Sequence, residues 1–259
     1  MMITSPEAEL PFYFGDDASL FGLFHATGGH ARKAVLLCPP LGQDHIRCHR
    51  LYRQLANALA GEGIPALRFD YYGTGDSVGE SADVDWERCI ADIATATEEL
   101  RRRSGAERVI AFGARLGGSL AIAAAQTARF AGLVMWDPVF DGGAHVSRLD
   151  AMQSALRQDR QRFMRPRSVA DVAEQWLGFA TSARLRRQIS ELQLGPSTVP
   201  TLVLDSIDGL PGDSWRGMAN TTVKMLESPA PWDDLNRLEV AILSHPLIQT
   251  VTSHVRVAA

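Results

Sequence analysis

The stretch Arg108-Val109-Ile110-Ala111-Phe112-Gly113-Ala114-Arg115-Leu116-Gly117-Gly118-Ser119 decides the fold. Its first half is a continuous apolar run, the pattern of a strand buried on both faces of a sheet. Its second half opens a small-residue helix that continues through Leu120, Ala121 and Ile122 to Ala125. Between them lies Gly-x-Arg-x-Gly. Glycines on either side let the chain turn sharply from strand into helix, which lifts the central side chain above the carboxyl edge of the sheet. That side chain belongs to Arg115, and a guanidinium offers donors but no nucleophile.

Working outward, residues 11–15 and 19–27 read as two early strands separated by Asp16 and Asp17. Residues 34–38 form a buried strand ended by Pro39-Pro40, and 64–70 form another, followed by the turn Tyr72-Gly73-Thr74-Gly75-Asp76-Ser77. Helical spacing of Leu51, Leu55, Ala56 and Leu59 predicts a helix over 49–60. Trp86, Ile90, Ile93, Ala94 and Leu100 mark an amphipathic helix over 85–103, with Thr97 on the same face bonding back to the preceding turn. Residues 131–137 are the next buried strand. From 141 to 194 the pattern is helical with no clear strand; strands return at 199–205 and 221–226, and 246–255 closes the chain as a helix. Strands alternating with helices imply an α/β fold, a mostly parallel sheet with helices on both faces. We read one domain: a core over 1–140 and 196–259, with a helical insertion over 141–195.

Bulk properties narrow the function. A formal net charge of −4 argues against nucleic acid as a partner. No run approaches the roughly 18 apolar residues of a membrane span, and residues 1–10 lack the basic, then apolar pattern of a signal peptide. Cys38, Cys48 and Cys89 are odd in number and form no CxxC, so no disulfide framework is expected and the cytoplasm is the default location. No cofactor signature is present. His45 and His49 stand one helical turn apart without a matching carboxylate, which leaves no metal site.

Four blocks in order, residues 36–42, 67–77, 110–118 and 201–209, resemble the α/β-hydrolases. The block from Arg68 to Ser77 is similar to the turn after the fourth strand in serine-aminopeptidase-like members. Together with Cys38-Pro39-Pro40-Leu41-Gly42-Gln43, the Arg115 turn and Trp136-Asp137-Pro138, it resembles more closely the exosortase A system-associated hydrolases. The resemblance implies an α/β-hydrolase fold with a helical lid over 141–195. It also implies that Arg115 occupies the position of the nucleophile, an acid follows, and a histidine comes last.

For the acid there are three choices: Asp205, Asp208 in the following turn, and Asp137 at the end of the strand beside that of Arg115. Asp137 and Arg115 emerge at one sheet edge, so a carboxylate–guanidinium pair is expected. His245 is the histidine by order, although Ser244-His245-Pro246 reads equally as a helix start. Ser119 is the nearest hydroxyl, but inside the helix. Backbone N–H groups of Leu41, Gly42, Gln43 and Leu116 are the expected oxyanion donors, and His45 and Arg47 supply ligand contacts at the pocket mouth or begin a surface helix. Three functions remain open. One is an enzyme acting on a small molecule or acyl group by non-serine chemistry. The second is a non-catalytic protein whose lid contacts a protein partner. The third is a conventional esterase or thioesterase with a displaced nucleophile.

Overall fold

A computed structural model describes residues 9–159, 174–207 and 218–258. Ten strands and six α-helices occur among them: β1 (Glu9–Phe14), β2 (Leu20–His25), β3 (Lys33–Cys38), α1 (Gln43–Gly61), β4 (Ala66–Phe69), α2 (Trp86–Ser104), β5 (Arg108–Ala114), α3 (Leu116–Ala123), β6 (Gly132–Trp136), α4 (Gly142–Gln158), β7 (Gln175–Trp176), β8 (Phe179–Ala180), α5 (Ala183–Ser190), β9 (Thr201–Asp205), β10 (Thr221–Met225) and α6 (His245–Val257). Eight strands form one sheet in the order β1-β2-β4-β3-β5-β6-β9-β10. The pairs β1–β2 and β2–β4 are antiparallel and the rest parallel. This is the α/β-hydrolase architecture.

The strands sort their side chains by the two-residue period. Val35 and Leu37 of β3 pack with Ile110 and Phe112 of β5 against Leu51 and Leu55 of α1 and Val251 of α6. Ala34, Leu36, Val109 and Ala111 face the other way, onto Ile93 and Leu100 of α2 and Leu120 of α3. Continuous apolar runs were the sequence sign of exactly such double burial. Helix ends follow their signals too. Asp85 caps α2 by accepting from the Arg88 N–H, and Gly105 leaves it in a left-handed turn at φ 69°. The Thr97 hydroxyl donates back to the Ile93 carbonyl.

Two expectations need correction. Helix α1 begins at Gln43, six residues before the expected start at His49, because its first turn faces a cavity rather than the core. The segment between β6 and β9 is not purely helical: β7 and β8 form a short hairpin between α4 and α5. Two-residue strands are too short to show any period. Residues 160–173 of the expected helical insertion lie outside the described residues.

One buried polar cluster has a testable consequence. His25, at the end of β2, is 1% exposed. Arginine only donates, so the 3.1 Å contact from Arg68 Nε makes His25 Nε2 an acceptor and leaves Nδ1–H to donate to Asn57 Oδ1 at 2.9 Å. Burial, then Arg68, lower the imidazole from its ordinary 6.5 to about 4, with Glu9 opposing and Arg53 assisting. Between those values the unfolded chain takes up a proton that the folded chain refuses. Stability is therefore complete above pH 6.5 and falls as the pH drops towards 4, by about 3 kcal/mol in total. Urea midpoints compared at pH 7 and 4.5 in the native chain and His25→Gln test this. Equal losses in both would remove His25 as the cause.

Candidate active site

The sheet changes direction at β3: α1 leads outward to β4, and α2 returns to β5 on the other side. Ligands of open α/β sheets sit at such a switch, beyond the carboxyl ends of the strands. Here the loop after β3 and the turn after β5 border one cavity of about 390 Å³.

The turn after β5 is sharp. Arg115 has φ 51° and ψ −130°, a left-handed conformation that costs a non-glycine residue about 1–3 kcal/mol. Its neighbours explain how the turn closes. A Cβ on Gly113 would lie 2.5 Å from the Gly117 carbonyl, and one on Gly117 would meet the carbonyl oxygens of Cys38 and Pro39. Helix α3 thus rests directly on the exit of β3. Neither α3 nor α1 has a side-chain cap at its start, where Arg115 and Gly42 stand as N-caps. Leu41, Gly42, Gln43 and Leu116 all line the cavity, so both uncapped N-termini open onto it.

Arg115 is 2% exposed and lines the same cavity. The expected pair with the Asp137 carboxylate does not form. Arg115 Nη1 reaches the main-chain carbonyl of Asp137 at 3.4 Å, and its ionic partner is Asp44, with Nε to Oδ2 at 3.5 Å. Burial raises the Asp44 carboxyl above its usual range while Arg115 and Arg47 pull it back. The Asp137 carboxylate is turned away because its own backbone is left-handed, at φ 44°. It accepts from Ser206 N at 2.6 Å, Ser206 Oγ at 2.5 Å and Trp232 Nε1 at 2.7 Å. Burial pushes it up and these three donors hold it down. Trp232 then lies with its ring 5.2 Å from the Arg115 guanidinium.

The remaining expected residues divide. His45 lines the cavity and approaches Asp70, Nε2 to Oδ1, at 3.5 Å; burial lowers its imidazole and Asp70 opposes. Arg47 does not line the cavity. It is 1% exposed and donates to the carbonyls of Trp232 and Pro231, bracing the segment that carries Trp232. Ser119 is buried, donating to the Val139 carbonyl at 2.7 Å and accepting from its N–H, so the hydroxyl is a strut between α3 and the exit of β6. His245 is exposed at the start of α6 against Gln249, while Ser244 caps the helix. The cap reading holds and the histidine does not reach the cavity. Asp205 bonds within its own turn, to the Ile207 N–H. Asp208 lies outside the described residues.

Two cavity residues were missed, His145 and Arg148, one turn apart on α4. Arg148 Nη2 donates to His145 Nδ1 at 3.2 Å, which places the imidazole proton on Nε2. Burial, with Arg115 and Arg148 nearby, holds His145 well below the ordinary histidine range, so it is neutral. Arg148 also pairs with Asp233 at 3.1 Å. A lone histidine in a polar helix carries no sequence signal.

A family model described as serine aminopeptidase, S33 matches residues 29–194. An uncharacterized protein of Mycobacterium tuberculosis is 32% identical over 117 residues, 44% of this chain and 39% of that protein. The chain therefore spans about two-fifths of the length of the curated relatives it matches. Among solved structures, Est1E from Butyrivibrio proteoclasticus aligns with a TM-score of 0.63 at 13% identity, covering 96% of this chain and 98% of its own. Mouse alpha/beta hydrolase domain-containing protein 10 gives 0.60 at 14%, covering 96% and 100%. The bottromycin epimerase in complex with bottromycin A2 gives 0.57 at 14%, covering 90% and 94%. At these identities the likeness is one of fold.

Proposed function

The chain belongs to the S33 serine aminopeptidase family, and on that premise we propose that it works on a small-molecule or acyl substrate without serine chemistry. Arg115 stands, in this reading, where the family holds its nucleophile, and stabilises an anionic group of the ligand. The N–H groups at the starts of α1 and α3 assist it. The observation that carries the proposal is the retained cavity with a buried guanidinium at the turn where an attacking group would be raised. Proton transfer falls to His45 and His145, since Asp137 is fully engaged and His245 is on the surface. A fold-mate named as an epimerase supports the reading, because it shows that this scaffold is not tied to hydrolysis.

The segment from α4 to α5 is, on this proposal, the lid, since α4, the β7–β8 hairpin and α5 all contribute to the cavity wall. The finer likeness to exosortase A system-associated hydrolases belongs to the same proposal and rests on the sequence blocks alone. Three unpaired, buried thiols favour a reducing compartment such as the cytoplasm. Among the described residues no helix is long and apolar enough to cross a membrane. A second reading, binding without turnover, is favoured by the absence of the late histidine from the cavity, with the lid as the surface for a protein partner.

A fluorophosphonate probe followed by intact-mass measurement tests the proposal. The native chain is expected to remain unlabelled. Covalent labelling at any serine overturns the non-serine reading. In Arg115→Ser, new labelling would require a base in reach, and His45 or His145 would be assigned by removing each.

A further inference from the structure

Resting on the reading of Arg115 as a fixed cation in a retained pocket, we infer that the ligand is an amphipathic monocarboxylic acid whose carboxylate is received by Arg115. The first observation is an incomplete guanidinium. Among the described residues Arg115 makes only two bonds, at 3.5 and 3.4 Å, although it is 2% exposed. Charge-assisted bonds are normally about 2.7–2.9 Å, and a buried guanidinium has five donors to satisfy. The donors left over border the cavity. A planar carboxylate matches their fork; the neighbouring His145 Nε2–H and the starts of α1 and α3 are additional donors around the same cavity.

The second observation fixes the charge. Arg148 is engaged with Asp233 and His145, whereas Asp44, the ionic partner of Arg115, also lies in the field of Arg47, so Arg115 can receive a second anion without leaving Asp44 unopposed. One negative charge can join Asp44 on the guanidinium, whose contact with that carboxylate is long at 3.5 Å. A phosphate dianion would meet two carboxylates with only one guanidinium to spare.

The third observation concerns the rest of the ligand. Leu149, Met152, Trp176, Phe179, Leu185 and Ile189, all from the segment between β6 and β9, provide an apolar wall. Taking roughly 30 Å³ per non-hydrogen atom, the cavity of about 390 Å³ accepts on the order of a dozen atoms. An alkyl or aryl-alkyl acid of that size fits, with its tail against α4, the hairpin and α5.

Titration calorimetry with decanoate, decanamide and decyl phosphate tests this on the full chain. Decanoate is expected to bind more tightly than decanamide by a factor of about 10–100, the worth of a hydrogen bond to a charged group. Decyl phosphate should bind no tighter than decanoate. In Arg115→Met the preference for decanoate over decanamide should vanish while both still bind through their tails. Arg115→Lys, which keeps the charge and loses the fork, should retain part of it and guards against misfolding of the methionine variant. Equal binding of decanoate and decanamide by the native chain overturns the inference, as does a preference unchanged in both variants. Tighter binding of decyl phosphate replaces carboxylate by phosphate. Fluorophosphonate labelling of a chain that still prefers decanoate would sink the non-serine reading alone, so the two failures are distinct.

Discussion

Asp137→Ala is expected to destabilise the protein by about 3–6 kcal/mol. The carboxylate receives three donors, Ser206 N, Ser206 Oγ and Trp232 Nε1, at 2.5–2.7 Å and is 2% exposed. Each buried donor stranded by its removal costs about 1–3 kcal/mol. The Ser206 hydroxyl oxygen also accepts from the Ala230 N–H and Trp136 Nε1, but those bonds leave its own proton stranded; only water entering the space left by the carboxylate would recover part of the cost. Asp137→Asn should lose roughly half as much, since one carboxyl oxygen is kept while the amide opposes a donor. Urea unfolding followed by circular dichroism gives the free energies. Trp232 supplies a local readout: its indole would lose its partner, and its emission should change even in conditions where the chain stays folded. A loss below about 1 kcal/mol would show that the three bonds are not made together in solution. A loss confined to stability, with Trp232 emission unchanged, would show that the indole is held by Arg47 through the backbone instead.

Gly117→Ala is expected to cost at least about 3 kcal/mol or to prevent folding. The added methyl would lie 2.5 Å from the Pro39 carbonyl oxygen and closer still to that of Cys38. Those oxygens belong to the main chain at the end of β3, so nothing flexible can move aside. Relief requires α3 to shift away from β3, and that shift drags the Arg115 turn and opens the cavity. The same methyl at Gly28 meets nothing within 4 Å, which makes Gly28→Ala the matched control. A free energy of Gly117→Ala within 0.5 kcal/mol of that control, a margin of about the usual surface effect, would mean that α3 is not seated on β3 as described.

Both predictions concern the frame of the site, and that frame was readable in the chain. Gly113 and Gly117 stand out because small residues flank an apolar run, and the apolar runs at β3, β5, β6 and β9 announce strands with two buried faces. The break in strand–helix alternation between β6 and β9 was also legible, since the described residues there add no strand to the main sheet. The hairpin there was not, because two residues cannot display a period. His145 and Arg148 were equally silent. They enter the site only because α4 folds over the sheet edge, and nothing local marks a helix residue for that contact.

The pairing at the centre shows the division most plainly. Strand order alone brings Arg115 and Asp137 to one edge of the sheet, since β5 and β6 are neighbours in register from Ile110 with Gly132 to Ala114 with Trp136. Proximity of two Cα atoms does not orient two side chains. A left-handed φ at each residue sends the carboxylate towards Ser206 and Trp232 and leaves the guanidinium to Asp44. The sequence by itself determined the sheet, the sharp turn and the positive charge at its apex, because these follow from periodicity, glycine sterics and residue type. Only the tertiary structure decided which acid meets that charge, which histidines face the cavity, and that the guanidinium is short of partners among the described residues. Those outcomes depend on backbone dihedrals and on contacts between residues far apart in the chain, which no local pattern encodes.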